Sequence, residues 1–146
     1  MPANPDYRDP WISPRLRMAA LWTSMLFVFA YVDPFSLYRA DVRSDIEVGE
    51  LGGFTIGQSF LFLTTVYIAI PSLMLSLSVL LPVRIARLAN IIVAALYVPT
   101  IAGSAFGEWN YYILGSVIEI VLLAVVIFCA WSWPRLAAGQ EVGAGA

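Results

Sequence analysis

Charged residues are confined to a few short segments of this chain, and the stretches between them are nearly uncharged. Residues 51–83 and 88–107 contain no Asp, Glu, Lys or Arg, and residues 109–134 contain one, Glu119. A further uncharged stretch covers residues 18–32. A helix needs about 20 mainly apolar residues to cross the hydrocarbon core of a bilayer. The pattern therefore predicts several transmembrane helices rather than a soluble domain.

The composition supports this interpretation and excludes several classes of function. Hydrophobic residues make up 60% of the 146 residues and charged residues 12%, whereas soluble domains carry roughly a quarter charged residues. With no His and one Cys, the chain cannot assemble the common zinc sites, Ser/His or Cys/His dyads, or haem ligation. A net charge of -2 offers no basic surface for nucleic acid. We therefore expect no enzyme activity, no metal or other cofactor, and no nucleic-acid partner.

The apolar stretches predict an all-α polytopic membrane protein, a bundle of four transmembrane helices in a single membrane domain over residues 1–146. We expect flexible tails at residues 1–14 and 136–146. The predicted spans cover residues 17–38, 55–81, 85–106 and 110–133.

Two of these spans contain a proline, Pro71 and Pro99. Each proline removes one backbone hydrogen bond and leaves the carbonyl four residues earlier, at Tyr67 and Ala95, in need of another donor. We expect kinks at both positions, with the carbonyls satisfied by neighbouring side chains or water.

The distribution of arginine predicts the orientation of the bundle. Six of the eight basic residues, all of them Arg, lie on the side of the two termini and of the link between spans two and three. Arg39 and Arg43 lie on the opposite side, among acidic residues. Because positive charge is retained on the cytoplasmic side, both termini are expected in the cytoplasm. This is the arrangement of a multi-pass protein of a bacterial inner membrane.

The connection between the first two spans, residues 39–54, is too long for a tight turn. It carries charges of both signs at near-helical spacing, which favours a short interfacial helix. Glycine often terminates a helix because it adopts a left-handed conformation without steric cost. The helix is therefore expected to end near Gly49, Gly52 or Gly53.

Two carboxylates are predicted at membrane depth, Asp33 late in span one and Glu119 in span four. A charge at the bilayer centre costs roughly 2.5 to 3.5 kcal/mol on insertion scales, so a compensating interaction is required. Both positions fall in the outer half of the bundle. Six polar side chains are expected to reach the same level: Gln58, Thr64, Thr65 and Tyr67 on span two, and Tyr97 and Thr100 on span three. We predict a shared acidic pocket that binds a proton, a cation or a small polar ligand.

Each acid also has a purely structural interpretation. Asp33 followed by Pro34 is typical of a helix N-cap with proline at the first helical position, so Asp33 could begin a short interfacial helix. Glu119, if protonated, could donate a hydrogen bond to a neighbouring helix. Both alternatives remain open on the sequence alone.

Small residues at helical spacing predict where the helices pack closely. One stripe lies on span two and comprises Thr65, Ala69, Ser72 and Ser76. A second lies on span three and comprises Ala86, Asn90 and Ala94. Gly115 on span four is expected to serve the same purpose.

Three motifs carry a resemblance to a known family: YVDPFS at residues 31–36, RIARLANII at residues 84–92, and IEI at residues 118–120 followed by AWSW at residues 130–133. Together they resemble an uncharacterised bacterial family of four-span membrane proteins, a domain of unknown function, over residues 15–133. The resemblance implies a four-helix membrane bundle with an acidic residue late in span one and a glutamate in span four. It implies no activity.

The residues favour two classes of function. In the first, the chain is a small transporter or channel, or a small-ligand binder, in which Asp33 and Glu119 bind a proton or cation. Four spans leave little room for a path, so a homo-oligomer is expected. In the second, the chain is a non-catalytic structural or assembly subunit of a larger membrane complex. A membrane enzyme with the two carboxylates as acid and base is less favoured, because it needs a substrate held between them.

Overall fold

The computed structural model describes residues 12–133, which form four long helices, one short helix and a two-stranded hairpin. All four long helices are long and apolar enough to cross a membrane, so the predicted four-helix membrane bundle is confirmed. The elements in chain order are α1 (Pro14–Phe35), a 3-10 turn (Ser36–Tyr38), α2 (Ala40–Glu47), β1 (Glu50–Leu51), β2 (Phe54–Thr55), α3 (Gln58–Leu80), α4 (Val83–Ser104) and α5 (Asn110–Trp131). The tail predicted at residues 136–146 and most of that at residues 1–14 lie outside the described residues.

We call the end of the bundle that carries α2 and the hairpin the outer end, following the predicted orientation. The link between α3 and α4 lies at the inner end. Around the bundle the helices follow the order α1, α5, α4, α3, so that α1 packs mainly on α5 and α3, and α4 mainly on α5. An even number of spans places both ends of the described chain on the same side, as predicted.

Local chemistry determines where the helices begin and end. Helix α1 begins at Pro14, three residues earlier than predicted, because Ser13 caps it: the Ser13 hydroxyl accepts a hydrogen bond from the Leu16 N–H at 3.3 Å. At the inner end two arginines satisfy helix C-termini. The Arg15 guanidinium donates to the Leu81 carbonyl at 2.7 Å, and that of Arg87 donates to the Ala130 carbonyl at 2.9 Å. Such cations also interact favourably with the negative end of the helix dipole.

On α4 and α5 the structure buries the residues that the sequence predicts to pack closely. Ala86, Asn90 and Ala94 have no exposed surface. Gly115 is buried, and a Cβ atom there would lie 2.6 Å from Cγ2 of Val32 on α1. Helices α1 and α5 therefore approach one another so closely at this point that only glycine fits at position 115 without a shift of its neighbours.

The packing stripe predicted on α3 is wrong for the single chain. Thr65, Ser72 and Ser76 are exposed and Ala69 is half-buried. The buried residues of α3 are instead Pro71, Met74 and Ser78, which define a different face of the helix. Since almost every face of α3 is apolar, the sequence periodicity contained little information about its rotation.

Helices α3 and α4 continue through Pro71 and Pro99 without a break. The carbonyl of Tyr67, which Pro71 deprives of its usual donor, accepts a hydrogen bond from the Tyr97 hydroxyl on α4 at 2.5 Å. A neighbouring side chain thus satisfies this group, as expected from the sequence. This hydrogen bond also connects α3 to α4 in the outer half of the bundle.

Helix α1 also continues through Asp33 and Pro34 to Phe35. The interpretation of Asp33 as an N-cap is therefore wrong. Pro34 lies in the last turn of α1, where it removes only one internal hydrogen bond, and the helix ends at the next residue. The Asp33 carboxylate is consequently available to the bundle rather than used in capping a second helix.

The connection between α1 and α3 contains the predicted short helix, α2, which ends just before Gly49. The chain then forms a hairpin in which Leu51 pairs with Phe54 across a two-residue turn. Both turn residues, Gly52 and Gly53, have positive φ angles of 57° and 80°. A tight hairpin of this type requires positive φ at both positions, which glycine adopts without strain.

Candidate functional site: an acidic cavity at the outer end

A cavity of about 190 Å³ lies between the outer halves of the four long helices. All four helices contribute to its wall, which contains two carboxylates, several hydroxyl groups and three aromatic rings. The lining residues are Phe29, Val32 and Asp33 from α1, Tyr67 from α3, Thr100, Ile101 and Ser104 from α4, and Tyr112, Ser116 and Glu119 from α5.

Both predicted intramembrane acids line this cavity. Asp33 lies in the last turn of α1 and is exposed, so it borders the opening of the cavity. Glu119 lies in the third turn of α5 and is only 4% exposed. The structure therefore brings the two carboxylates into one space, one near the outer end and the other deeper within the bundle.

The Glu119 carboxylate accepts no hydrogen bond and forms no salt bridge within residues 12–133. In the same range no fully buried side-chain oxygen or nitrogen atom lacks a hydrogen-bond partner. The carboxylate oxygens must therefore retain some accessible surface, and the adjoining open space is the cavity. The interpretation of Glu119 as a hydrogen-bonding contact between helices finds no partner in this part of the chain.

Tyr67 supplies one wall of the cavity, and three interactions hold its ring in place. The Tyr67 hydroxyl hydrogen-bonds the Thr100 hydroxyl at 2.8 Å, and Thr100 in turn donates to the carbonyl of Tyr97 at 2.8 Å. The rings of Tyr67 and Tyr97 stack with centroids 4.7 Å apart. Tyr97, predicted as a site residue, thus lies behind Tyr67 and supports it rather than lining the cavity itself.

Thr64 and Thr65 do not belong to the site, contrary to prediction. Both are exposed, and their hydroxyls donate to carbonyls of their own helix, those of Phe60 and Leu61. Thr65 is on the wrong face of α3. Thr64 is in phase with Tyr67, but no residue of α3 before Tyr67 is buried. The outer end of α3 is therefore not covered by the neighbouring helices.

A cluster around Arg39 links the start of α2 to the residues just before α5 at the outer end of the bundle, which we call the outer rim. Sequence reasoning missed this cluster. The Arg39 guanidinium donates to Asp41 at 2.6 Å and also to Glu108, and it lies 4.7 Å above the Trp109 ring. Glu108 and Trp109 immediately precede α5, on the same side of the membrane as Arg39. The opposite charges on one side of the predicted topology were the signal that could have found this contact.

The Arg39 cluster shifts the titration of its own members. Hydrogen bonds to Asp41 and Glu108 raise the pKa of the Arg39 guanidinium above its usual range. The same contact lowers the pKa of the Asp41 carboxyl. Arg39 thus already has two acidic partners, and no salt bridge joins an arginine to Asp33 or Glu119 within residues 12–133.

The inner half of the bundle is closed beneath the cavity. Met18, Trp22, Met25, Leu123 and Val126 are each at most 1% exposed and fill the space between the helices. The polar groups at this depth bond to one another, since the Trp22 indole donates to the Asn90 amide oxygen at 2.7 Å. The packed core thus closes the cavity toward the inner end of the bundle.

A family model described as a family of unknown function (DUF6326) matches residues 11–138. The chain belongs to this family. The resemblance noted over residues 15–133 to an uncharacterised membrane family is thereby confirmed. No curated protein and no solved structure matches the chain.

Proposed function

We propose that this DUF6326 protein binds a monovalent cation, or a proton in its place, in the outer cavity, and that it is a small cation- or proton-coupled transporter. The observation that carries the proposal is Glu119, a residue that is only 4% exposed, lines the cavity and has no basic partner in the described chain.

The electrostatics favour a cationic ligand. A carboxylate held within the bilayer is costly, and a counter-charge of opposite sign offsets that cost. Arg39, the arginine nearest to Asp33 in sequence, is held by Asp41 and Glu108. A bound cation or a proton is the remaining means of neutralising Glu119 from within the cavity, and Asp33 at the opening adds attraction for the same sign of charge.

The shape of the bundle favours transport over simple binding. The cavity lies in the outer half of the bundle and is closed below by the packed core, as expected for one of the two states of an alternating-access cycle. Three of the four long helices contain a proline, and each proline weakens the backbone hydrogen bonding of its helix locally. Rearrangement of α3 and α4 at Pro71 and Pro99 would open the inner half.

Transport is tested with purified protein in proteoliposomes that contain a pH-sensitive dye, with an imposed gradient of a monovalent cation. We expect cation-dependent proton flux with the native chain and none with Glu119→Gln, which keeps the shape of the side chain but removes its charge. Ser72→Ala, an exposed position on α3, is the matched control and should behave as the native chain. Equal flux from the native and Glu119→Gln proteins would overturn the proposal.

The orientation belongs to the same proposal: both termini in the cytoplasm of a bacterium, and the cavity open to the opposite side of the inner membrane. The placement of arginine supports it. Reporter fusions after Pro82 should read cytoplasmic, and a fusion within residues 39–54 should read external. The reverse result would place the opening on the cytoplasmic side.

A role as a homo-oligomer or as an assembly subunit of a larger membrane complex is the second candidate. One observation favours it: Thr65, Ser72 and Ser76 form an exposed line of small residues on α3, which suits close contact with another helix. Bulky substitutions along this line should then release a copurifying partner in mild detergent. Retention of the partner by Ser72→Leu and Ser76→Leu variants would contradict the role.

A further inference from the structure

The outer cavity combines negative charge with aromatic faces, and this combination is informative about the ligand. Phe29 and Tyr67 both line it, with ring centroids 6.1 Å apart and planes inclined by 43°. A third ring, that of Tyr112, also contributes to the wall. Aromatic faces attract cations that lie within about 6 Å of the ring centroid. Two inclined rings and a carboxylate around one space resemble the partial cages that bind alkylated ammonium groups.

The Tyr67 ring is pre-organised for such a role. Its hydroxyl is committed to Thr100, and one face stacks on Tyr97 at 4.7 Å. The ring is thus held in its position in the cavity wall without help from a ligand. A wall that does not need to be ordered on binding loses less free energy when the ligand enters.

The size of the cavity limits the ligand. A protein cavity of about 150 Å³ accommodates benzene, so a space of about 190 Å³ accommodates a compact ligand slightly larger than benzene. Tetramethylammonium and choline are of this size, whereas tetraphenylphosphonium is several times too large.

The oxygen ligands fit an organic cation better than a multivalent metal ion. Calcium requires six to eight oxygen ligands and is usually bound by several carboxylates. Within residues 12–133 no group of three or more His, Cys, Asp or Glu side chains comes together. A metal ion would also leave the aromatic faces unused.

We infer that the ligand of the outer cavity is a small quaternary or alkylated ammonium ion, held by Glu119 and by the rings of Phe29 and Tyr67. The inference rests on the proposed function and specifies its substrate class. The ammonium group could belong to a free solute or to a lipid headgroup, and the two sources share the same recognition chemistry.

Isothermal titration calorimetry tests the inference with the full chain in phosphatidylglycerol nanodiscs, which contain no ammonium headgroup, and with empty discs as the blank. We expect tetramethylammonium and choline to bind. The choline isostere 3,3-dimethyl-1-butanol has the same shape without the charge and should not bind, and tetraphenylphosphonium should be excluded by its size. Binding of tetraphenylphosphonium as tight as that of choline would overturn the inference.

Paired substitutions separate the aromatic contribution from effects on folding. Phe29→Leu and Tyr67→Leu remove a ring face and should weaken choline binding about 3- to 30-fold. Phe29→Tyr and Tyr67→Phe keep the ring, so each should bind choline more tightly than the Leu variant at the same position. If Phe29→Leu and Tyr67→Leu elute as monodisperse species yet bind choline as the native chain does, the aromatic faces play no part and the inference fails.

Protons should compete with choline for the carboxylates, so acidification is expected to weaken binding. The titratable groups around Glu119 are Asp33 on α1, Tyr67 on α3 and Tyr112 on α5, while α4 contributes the hydroxyls of Thr100 and Ser104. If free choline binds more weakly when phosphatidylcholine replaces an uncharged lipid at a fixed phosphatidylglycerol content, the headgroup is a competing source of the same cation.

The remaining outcomes distinguish this inference from the function on which it rests. Sodium or proton binding that depends on Glu119, without any choline binding, would overturn the ammonium ligand and leave the cation transporter intact. If the native chain shows no effect of any cation that Glu119→Gln abolishes, both the ammonium ligand and the cation transporter are overturned.

Discussion

Two polar residues lie in the core of this bundle in opposite situations. Asn90, in the inner half, has no exposed surface, and Glu119, in the outer half, is 4% exposed. The Asn90 amide accepts from the Trp22 indole at 2.7 Å and donates to the Ser78 hydroxyl at 3.0 Å and to the Ala86 carbonyl at 2.7 Å. Glu119 has no such partner in the described chain. Burial is thus nearly equal, and hydrogen-bond satisfaction distinguishes the two.

The comparison separates structural polar groups from candidate functional ones. A buried polar group without a partner costs roughly 1–3 kcal/mol, and a charge costs more. The Asn90 cluster joins α1 to α4 across the diagonal of the bundle, which helps to determine how the helices are rotated. The Glu119 carboxylate has no hydrogen-bond or salt-bridge partner in the described chain, and a ligand in the cavity can supply one. Removing the polar group should therefore have opposite consequences in the two regions.

The largest effect is expected from Asn90→Ala. It removes the acceptor of the Trp22 indole and leaves a void in a fully packed region, so the free energy of unfolding should fall by about 1–3 kcal/mol. Equilibrium unfolding in mixed micelles measures the change. Ser76→Ala, at an exposed site on α3, serves as the control. If the Asn90→Ala protein were as stable as the native chain, the hydrogen bonds of Asn90 would not stabilise the fold.

A smaller effect of the opposite sign is expected for Glu119→Gln. The substitution removes an unpaired charge from the core, so the free energy of unfolding should stay unchanged or rise by up to about 2 kcal/mol. The same unfolding assay measures it beside Asn90→Ala. Destabilisation comparable to that of Asn90→Ala would mean that Glu119 is a structural residue, and the comparison between the two regions would collapse.

The smallest effect is expected at the outer rim, where the contact of Arg39 with Asp41 and Glu108 is close to solvent. Arg39→Gln should leave global stability nearly unchanged but increase amide hydrogen exchange in α2, because the connection loses its contact with the start of α5. Arg43→Gln, on the same helix, is the control. Equal exchange in both variants would show that the Arg39 cluster does not hold the rim.

Acidification should loosen the same rim. The pKa of Asp41 is lower in the folded chain than in an unfolded one, because Arg39 hydrogen-bonds the carboxylate. The contact therefore stabilises the rim fully at pH values above the pKa that Asp41 has in the unfolded chain. This stabilisation is lost as the pH falls through the lower pKa that Asp41 has in the folded chain. Amide exchange in α2 of the native chain should approach that of Arg39→Gln over this acidic range.

The sequence predicts different features of the Asn90 cluster and of the Glu119 cavity. Asn90 was placed on a packing stripe from its spacing with Ala86 and Ala94, but its bond to Trp22, 68 positions away in the chain, was not predicted. The positions of Asp33 and Glu119 in their spans predict that both lie in the outer half of the bundle. Thr64 and Thr65 were assigned to the same site because depth alone cannot reveal which face of α3 is covered.

The sequence by itself determined the four spans, their boundaries to within a few residues and the depth of the two acids. These follow from the free energy of transferring each residue into the bilayer, which is nearly a sum of local terms. The tertiary structure decided which polar groups have partners. Helix rotation, the separation of α3 from its neighbours at the outer end and the close approach at Gly115 depend on contacts between distant residues. Those contacts satisfy Asn90 and leave Glu119 facing a cavity.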